Sequence, residues 1–300
     1  MTRSKKLKLI IPFITLIFLG AFAKHRLFDK TVQSGTLSSK QMNETSGIAA
    51  SSINPDIYYV HNDSGDTSRF FAINPNGKLL TTIYFNGDKT KYLGVNDCED
   101  IAVGPGPMKG KSYVYIGDIG DNGSRWPYIT IYRIPEKKSW ATDSLSNVEA
   151  VPLQLKYPDG PKDAETLMID PVEKLLYIVS KRHDTVSVYT TPLKYAANDT
   201  LTLTKRAKLF FPGFRPFKWI TGGDISKDGQ QVLLRSYDKV YYWRREPHEH
   251  IWDTMVRKPE ELPYKTEKQG EAIGFTPDGK GYYTTSEGVF APIYYYNTPE

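Results

Sequence analysis

Ser46-Gly47-Ile48-Ala49, Glu99-Asp100-Ile101-Ala102, Glu165-Thr166-Leu167-Met168, Gly223-Asp224-Ile225-Ser226 and Glu271-Ala272-Ile273-Gly274 are five versions of one short segment. Each is followed by a turn and then by a run rich in Tyr, Val and Leu. The aligned Ile/Leu positions 48, 101, 167, 225 and 273 stand 53, 66, 58 and 48 residues apart. A propeller blade of four strands takes about 40–50 residues. The spacing therefore predicts blades with modest insertions, the largest around Gly104-Pro105-Gly106-Pro107 and from Gly123 to Pro127. Five segments predict five blades, in preference to six. A β-sandwich would account for the strands, but it gives no reason for one segment to return five times.

Outward from these segments the chain reads as all-β. After residue 30 no stretch keeps a 3.6-residue apolar period. Short β-branched and aromatic runs recur instead, such as Ile57-Tyr58-Tyr59-Val60, Ser112-Tyr113-Val114-Tyr115-Ile116 and Val240-Tyr241-Tyr242-Trp243. Asn74-Pro75-Asn76-Gly77, Lys227-Asp228-Gly229 and Pro277-Asp278-Gly279 punctuate them as turns. The last blade has room for only three strands before Glu300, the third being Ile293-Tyr294-Tyr295-Tyr296. Thr31 to Leu37 is expected to supply its outer strand and close the ring. The Tyr-rich strands are expected to pack blade against blade.

Composition narrows the function classes. The 300 residues hold 39 Lys+Arg and 34 Asp+Glu, a formal charge of +5, with a single cysteine, Cys98. One cysteine excludes a disulfide framework and any cysteine-ligated zinc or iron–sulfur centre. Arg3, Lys5, Lys6 and Lys8 account for most of the positive excess; without them 35 bases face 34 acids. The body is thus nearly neutral, and nucleic-acid binding has no support. Those four bases precede the apolar run from Leu9 to Ala23, which ends in Ala21-Phe22-Ala23. Residues 1–23 read as a secretory signal, or as an N-terminal anchor because Lys24, His25 and Arg26 follow. Either reading exports the body, to the periplasm or outside the cell, with membrane contact only through that segment if it is uncleaved. Residues 24–44 would be a linker and the ring-closing strand, and 45–300 the propeller, expected as a monomer.

In a propeller the loops entering the first strands share a face with those leaving the second strands. Two residues before each aligned Ile/Leu stand Ser46, Glu99, Glu165, Gly223 and Glu271, with Asp224 beside the position that lacks a carboxylate. Like charges so close raise one another's pKa or hold a cation. All-oxygen donors suit a hard ion such as Ca²⁺; the other reading is that the acids bond neighbouring backbone amides. The exit loops carry Asn62, Asp63, Asp118, Asp121, Lys181, Arg182, Arg235 and Glu287. Together these would line a pocket for a small anionic molecule, with Lys181, Arg182 and Arg235 orienting the anion. Taken singly, such loops are tight turns bonding their own backbone.

The recurring Ser-Gly-Ile-Ala, Glu-Asp-Ile-Ala, Ala-Glu-Thr-Leu and Gly-Glu-Ala-Ile segments resemble those of the SdiA-regulated family and the esterase-like phytase domain, over about residues 45–297. The resemblance implies a secreted or periplasmic propeller. Asn62 to Asp66, Gly117 to Asn122 and Tyr157 to Glu165 look more like a group of uncharacterised exported bacterial propellers. A looser similarity to the calcium-activated apyrases implies Ser46, Glu99, Glu165 and Glu271 as ligands of an axial Ca²⁺, with Gly223 departing from the pattern. Two functions remain open at this stage. One is a metal-dependent hydrolase of a phosphate ester or related anionic substrate. The other is a non-catalytic ligand- or protein-binding module of the cell envelope with a structural metal.

Overall fold

The computed structural model describes residues 32–197 and 199–299. The signal or anchor reading of residues 1–23 falls outside them. Five sheets are present. Blade 1 has Thr45–Ala50, Tyr58–Asn62, Arg69–Ile73 and Leu79–Phe85, in order from the inside. Blade 2 has Cys98–Pro105, Ser112–Asp118, Ile129–Pro135 and Val151–Lys156; blade 3 has Ala164–Asp170, Leu175–Ser180, Thr185–Pro192 and Thr204–Phe210. Blade 4 has Ile220–Ile225, Gln231–Ser236, Val240–Arg244 and Glu260–Leu262. Blade 5 has Gly270–Phe275, Gly281–Ser286 and Pro292–Asn297, and its outer strand is Val32–Thr36. The first strands touch one another in the order 1-2-3-4-5-1. A closed ring of inner strands is a five-bladed β-propeller, closed by the N-terminal strand as the sequence predicts.

Closure requires apolar residues on both sides of every blade. Five buried clusters fill the five gaps between neighbouring blades. Tyrosines do much of this filling: Tyr59, Tyr115, Tyr132, Tyr177, Tyr189, Tyr241, Tyr282 and Tyr296 are all fully enclosed. A ring of that size contributes about 1.5–3 kcal/mol when buried, and several of the hydroxyls reach a polar partner at the edge of the gap, those of Tyr177 and Tyr241 excepted. Tyr115 and Tyr282, for example, donate to the Pro105 and Pro263 carbonyls.

The insertions follow the sequence reading in part: Gly123 to Pro127 lies in the exit loop of blade 2, residues 119–128, which is longer than the other exit loops. Gly104 and Pro105 belong to or end a first strand, and a tight turn follows. The long excursions between third and fourth strands are residues 136–150, 193–203 and 245–259, the last carrying the short helix Ile251–Val256. The first returns a strand, Leu145–Val148, that pairs in parallel with the outer strand of blade 1. The second returns Thr200–Thr202, which pairs in parallel with the outer strand of blade 2. These clasps have no local signal, because their partners lie in another blade.

Every first strand carries a register shift that leaves one residue unpaired: Ser46, Glu99, Glu165, Thr221 and Glu271. Such a bulge re-aims its side chain. In blade 4 the bulge is Thr221, two residues upstream of the aligned Gly223. The Ile225 alignment is therefore two residues out of phase.

That shift explains Asp224. Its carboxylate accepts from the Ile225 N–H (2.8 Å) and from the Phe275 N–H of blade 5 (2.9 Å). Asp224 joins two blades and leaves the expected metal set. Asp100 does the same for blades 2 and 3, accepting from the Ile101 and Leu167 N–H groups at 2.8 and 2.9 Å. Asp100→Ala strands these buried donors. It is expected to cost about 3 kcal/mol, or roughly 6 °C in melting temperature, which thermal unfolding by circular dichroism measures.

Candidate metal centre at the axial mouth

Two tiers of side chains line one end of the axis. The inner tier is the bulge set: Glu in blades 2, 3 and 5, and a hydroxyl in blades 1 and 4. Both hydroxyls are spent on the ring itself. Ser46 Oγ donates to the Glu99 carbonyl (2.7 Å) and Thr221 Oγ1 to the Gly270 carbonyl (3.3 Å), each in the next blade. The outer tier is the residue just after each second strand: Asp63, Ile119, Lys181, Tyr237 and Glu287. In four blades its backbone N–H binds the carbonyl two residues before the bulge, at Glu44, Asp97, Asp163 and Gln269. This short ladder fixes exit loop and entry loop against each other, so Asp63, Lys181 and Glu287 face the axis.

Seven carboxylates form one arc. Asp63, Glu271 and Glu287 offer oxygens within 4.8 Å of one another, as do Asp63, Asp97 and Glu99, and again Glu99, Asp163 and Glu165. Two oxygens each about 2.4 Å from a calcium ion lie no more than about 4.8 Å apart, so each trio can share one ion. Glu99, Glu165 and Glu271 are buried, whereas Asp63, Asp97 and Glu287 are partly open to solvent. Gly120 leaves room for the arc: a Cβ there would stand 2.3 Å from Glu99 Oε1 and 2.4 Å from Asp97 Oδ2. Glu165 Oε2 and Glu271 Oε2 are enclosed with no hydrogen-bond partner.

Blade 4 offers no acid at the inner tier. Tyr237 occupies that quadrant, donating to Glu271 Oε1 (2.8 Å) and accepting from Lys181 Nζ (3.3 Å). Lys181 also pairs with Glu165 Oε1. One end of the arc therefore carries its own cation, while the other end, around Asp63, Glu99 and Glu271, does not.

The electrostatics record that imbalance. Burial, with Asp97 beside it, lifts Asp63 to about 7. Burial and the neighbouring Glu271 lift Glu287 to about 8. Burial, then Asp63 and Asp97, pushes Glu99 well above the usual range. The ordinary values are 3.8 for Asp and 4.5 for Glu. The metal-free fold thus holds protons that the unfolded chain has already released. The stability these three groups contribute is fullest below about pH 4 and is lost as pH rises through 7 to 8. Melting temperature in a chelator is expected to decline from pH 5 to pH 8. Calcium affinity should rise over the same window, because the ion displaces those protons.

The expected substrate residues separate into three groups. Asp63 and Glu287 join the arc. Lys181 and Arg182 neutralise it: Arg182 Nε meets Asp163 Oδ2 at 2.5 Å, and its guanidinium lies over Trp219. Asn62, Asp118, Asp121 and Arg235 hold the scaffold. Asn62 Nδ2 donates to the Gln41 carbonyl, Asp118 accepts from the Asp97 N–H, and Asp121 accepts from the Arg125 and Trp126 N–H groups. Arg235 is fully buried and paired with Glu267. The basic arc expected to orient an anion is therefore committed to carboxylates, which corrects that part of the sequence reading.

Asp97, Asp163 and Tyr237 were missed. The acids had a signal: Asp97-Cys98-Glu99 and Asp163-Ala164-Glu165 repeat one Asp-x-Glu pattern at two blade entries. Tyr237 had only a positional signal, as the residue that follows the second strand of blade 4.

No protein-family model matches the chain, and no curated protein matches it. Among solved structures, a luciferin-regenerating enzyme is similar over 86% of this chain and 92% of that one, at 12% identity and a TM-score of 0.46.

Proposed function

We propose that this chain is an exported propeller that binds a hard divalent cation, Ca²⁺ by its donor chemistry, and uses it to hydrolyse an ester or phosphoester. The supporting observation is the pair of buried, unpartnered oxygens on Glu165 and Glu271 within an arc of seven carboxylates. Unpaired buried carboxylate oxygens are costly unless a cation completes them. The arc also meets solvent at Asp63, Asp97 and Glu287, which leaves coordination positions free, as catalytic metal sites do.

A bound cation supplies Lewis acidity to a substrate oxygen and lowers the pKa of a water. The chain's own part is to hold carboxylates near that water and to keep Lys181 and Tyr237 at the blade 4 side. With Lys181, Arg182 and Arg235 already paired, the cation takes over the recognition of the anionic oxygen. Export rests on residues 1–23 and places the activity in the periplasm or outside the cell, acting as a monomer on a small molecule.

The test is hydrolysis of phosphate esters, nucleotides and lactones after chelation and after Ca²⁺ is restored. Activity is expected only with the metal. Calcium binding without turnover on all three classes would favour the envelope-binding module with a structural metal.

A further inference from the structure

All six exposed Phe, Tyr and Trp side chains among the described residues lie on the mouth side of the disc. Tyr92 is in the loop entering blade 2, Trp126 in the exit loop of blade 2, Phe214 and Phe217 in the loop entering blade 4, and Phe290 in the exit loop of blade 5. Phe210 ends a strand that runs into the same face. Among the described residues, the large apolar side chains exposed on the opposite face and the sides are non-aromatic, such as Met108 and Val172. Tyr92 and Phe214 are 99% and 87% exposed, so these rings stand out as tips and do not line a groove.

Four of the six sit directly beside a base: Lys91-Tyr92, Arg125-Trp126, Phe214-Arg215 and Phe217-Lys218. Aromatic rings settle at the level of lipid headgroups, and neighbouring Lys and Arg reach the phosphates. Arg215 and Lys218 share the exposed Asp184 as their partner, at 2.8 and 3.3 Å. The Arg215 pair is exposed on both sides, and a pair of this kind is weak and readily exchanged for phosphate, whereas Lys218 is buried beneath Phe210. A sugar polymer would be served poorly by phenylalanine rings, which have no hydrogen-bonding group.

We propose that the mouth face docks onto an anionic lipid surface, with Trp126, Phe214 and Phe217 entering the headgroup layer and the exposed Arg125 and Arg215 meeting lipid phosphate. The inference is independent of the metal reading. It also adds a membrane contact beyond the N-terminal segment. Val32, where the ring-closing strand begins, pairs with Tyr295 and so lies at the face away from the mouth.

The experiment mixes the full-length chain with vesicles of phosphatidylcholine and phosphatidylglycerol that carry brominated acyl chains. Residues 9–23 can partition by themselves, so the signal that matters is the fluorescence of Trp126, obtained by difference from a Trp126→Phe variant. Docking predicts a blue shift and bromine quenching of Trp126 that need the anionic lipid and weaken with salt. Phe214→Ser with Phe217→Ser should lower that partitioning about tenfold or more. Vesicle binding with Trp126 unquenched, or equal quenching without phosphatidylglycerol, overturns the proposal. So does a Phe214→Ser/Phe217→Ser variant that partitions like the wild type.

Discussion

Glu99→Gln is expected to weaken Ca²⁺ binding by about 100-fold or more, and at the same time to raise the melting temperature of the metal-free protein. Glu99 belongs to two of the three oxygen trios, so its loss breaks the arc at its centre. Ligand charge sets calcium affinity, and removal of a charged, buried donor carries a large penalty. Without the ion the same carboxylate is a liability, held among Asp63 and Asp97 in a buried place that disfavours its charge. The two effects have opposite signs, which makes the test decisive. At a calcium concentration about 1,000 times the wild-type Kd, binding stabilises the wild type by about 4 kcal/mol, roughly 8 °C. The variant should gain only about 1.4 kcal/mol, roughly 3 °C, at that concentration. Calorimetric titration and melting with and without chelator measure both. Unchanged affinity in Glu99→Gln would remove the axial site.

Arg235→Met should cost about 3–5 kcal/mol of stability and leave Ca²⁺ affinity unchanged. The guanidinium is enclosed between blades 4 and 5. It donates to the Ala272 carbonyl (2.6 Å) and the Thr285 carbonyl (3.3 Å), and to Tyr264 Oη (2.5 Å) and Glu267 Oε2 (3.2 Å). Methionine fills the space but strands these acceptors and leaves Glu267 without its cation. Burial already raises the Glu267 pKa, with Arg235 opposing the rise. Without Arg235 the carboxyl should hold its proton further up the pH scale, so the loss of stability should deepen as pH increases. Adding Glu267→Gln should recover part of it and flatten the pH dependence. A variant as stable as the wild type but defective in substrate binding would return Arg235 to the pocket.

Much of the fold was legible because blade starts recur. Each needs an apolar Ile or Leu facing the neighbouring blade and a polar bulge residue facing the axis, and that pairing survives in four blades without help. In the fourth, Gly222-Gly223-Asp224 mimics the motif two residues late, since Asp224 serves as an inter-blade acceptor. Local sequence cannot separate an acid that faces the axis from one that accepts a neighbour's N–H. The distinction depends on which residue the bulge leaves unpaired. The fate of Lys181, Arg182 and Arg235 was hidden for a similar reason, as their partners Glu165, Asp163 and Glu267 are chosen by strand exit, entry and blade contact.

The sequence by itself determined a ring of five blades, its closure by residues near Val32, and an axial mouth built on Glu99, Glu165 and Glu271. Repetition and alternation are local properties, and burial between blades translates them into architecture. The tertiary structure decided the balance of charge at that mouth. It added Asp97 and Asp163, withdrew Asp224 to the backbone, and spent the nearby cations on carboxylates. Net charge is a sum over the chain, but an ion responds to oxygens within about 5 Å, and only the folded ring brings those together.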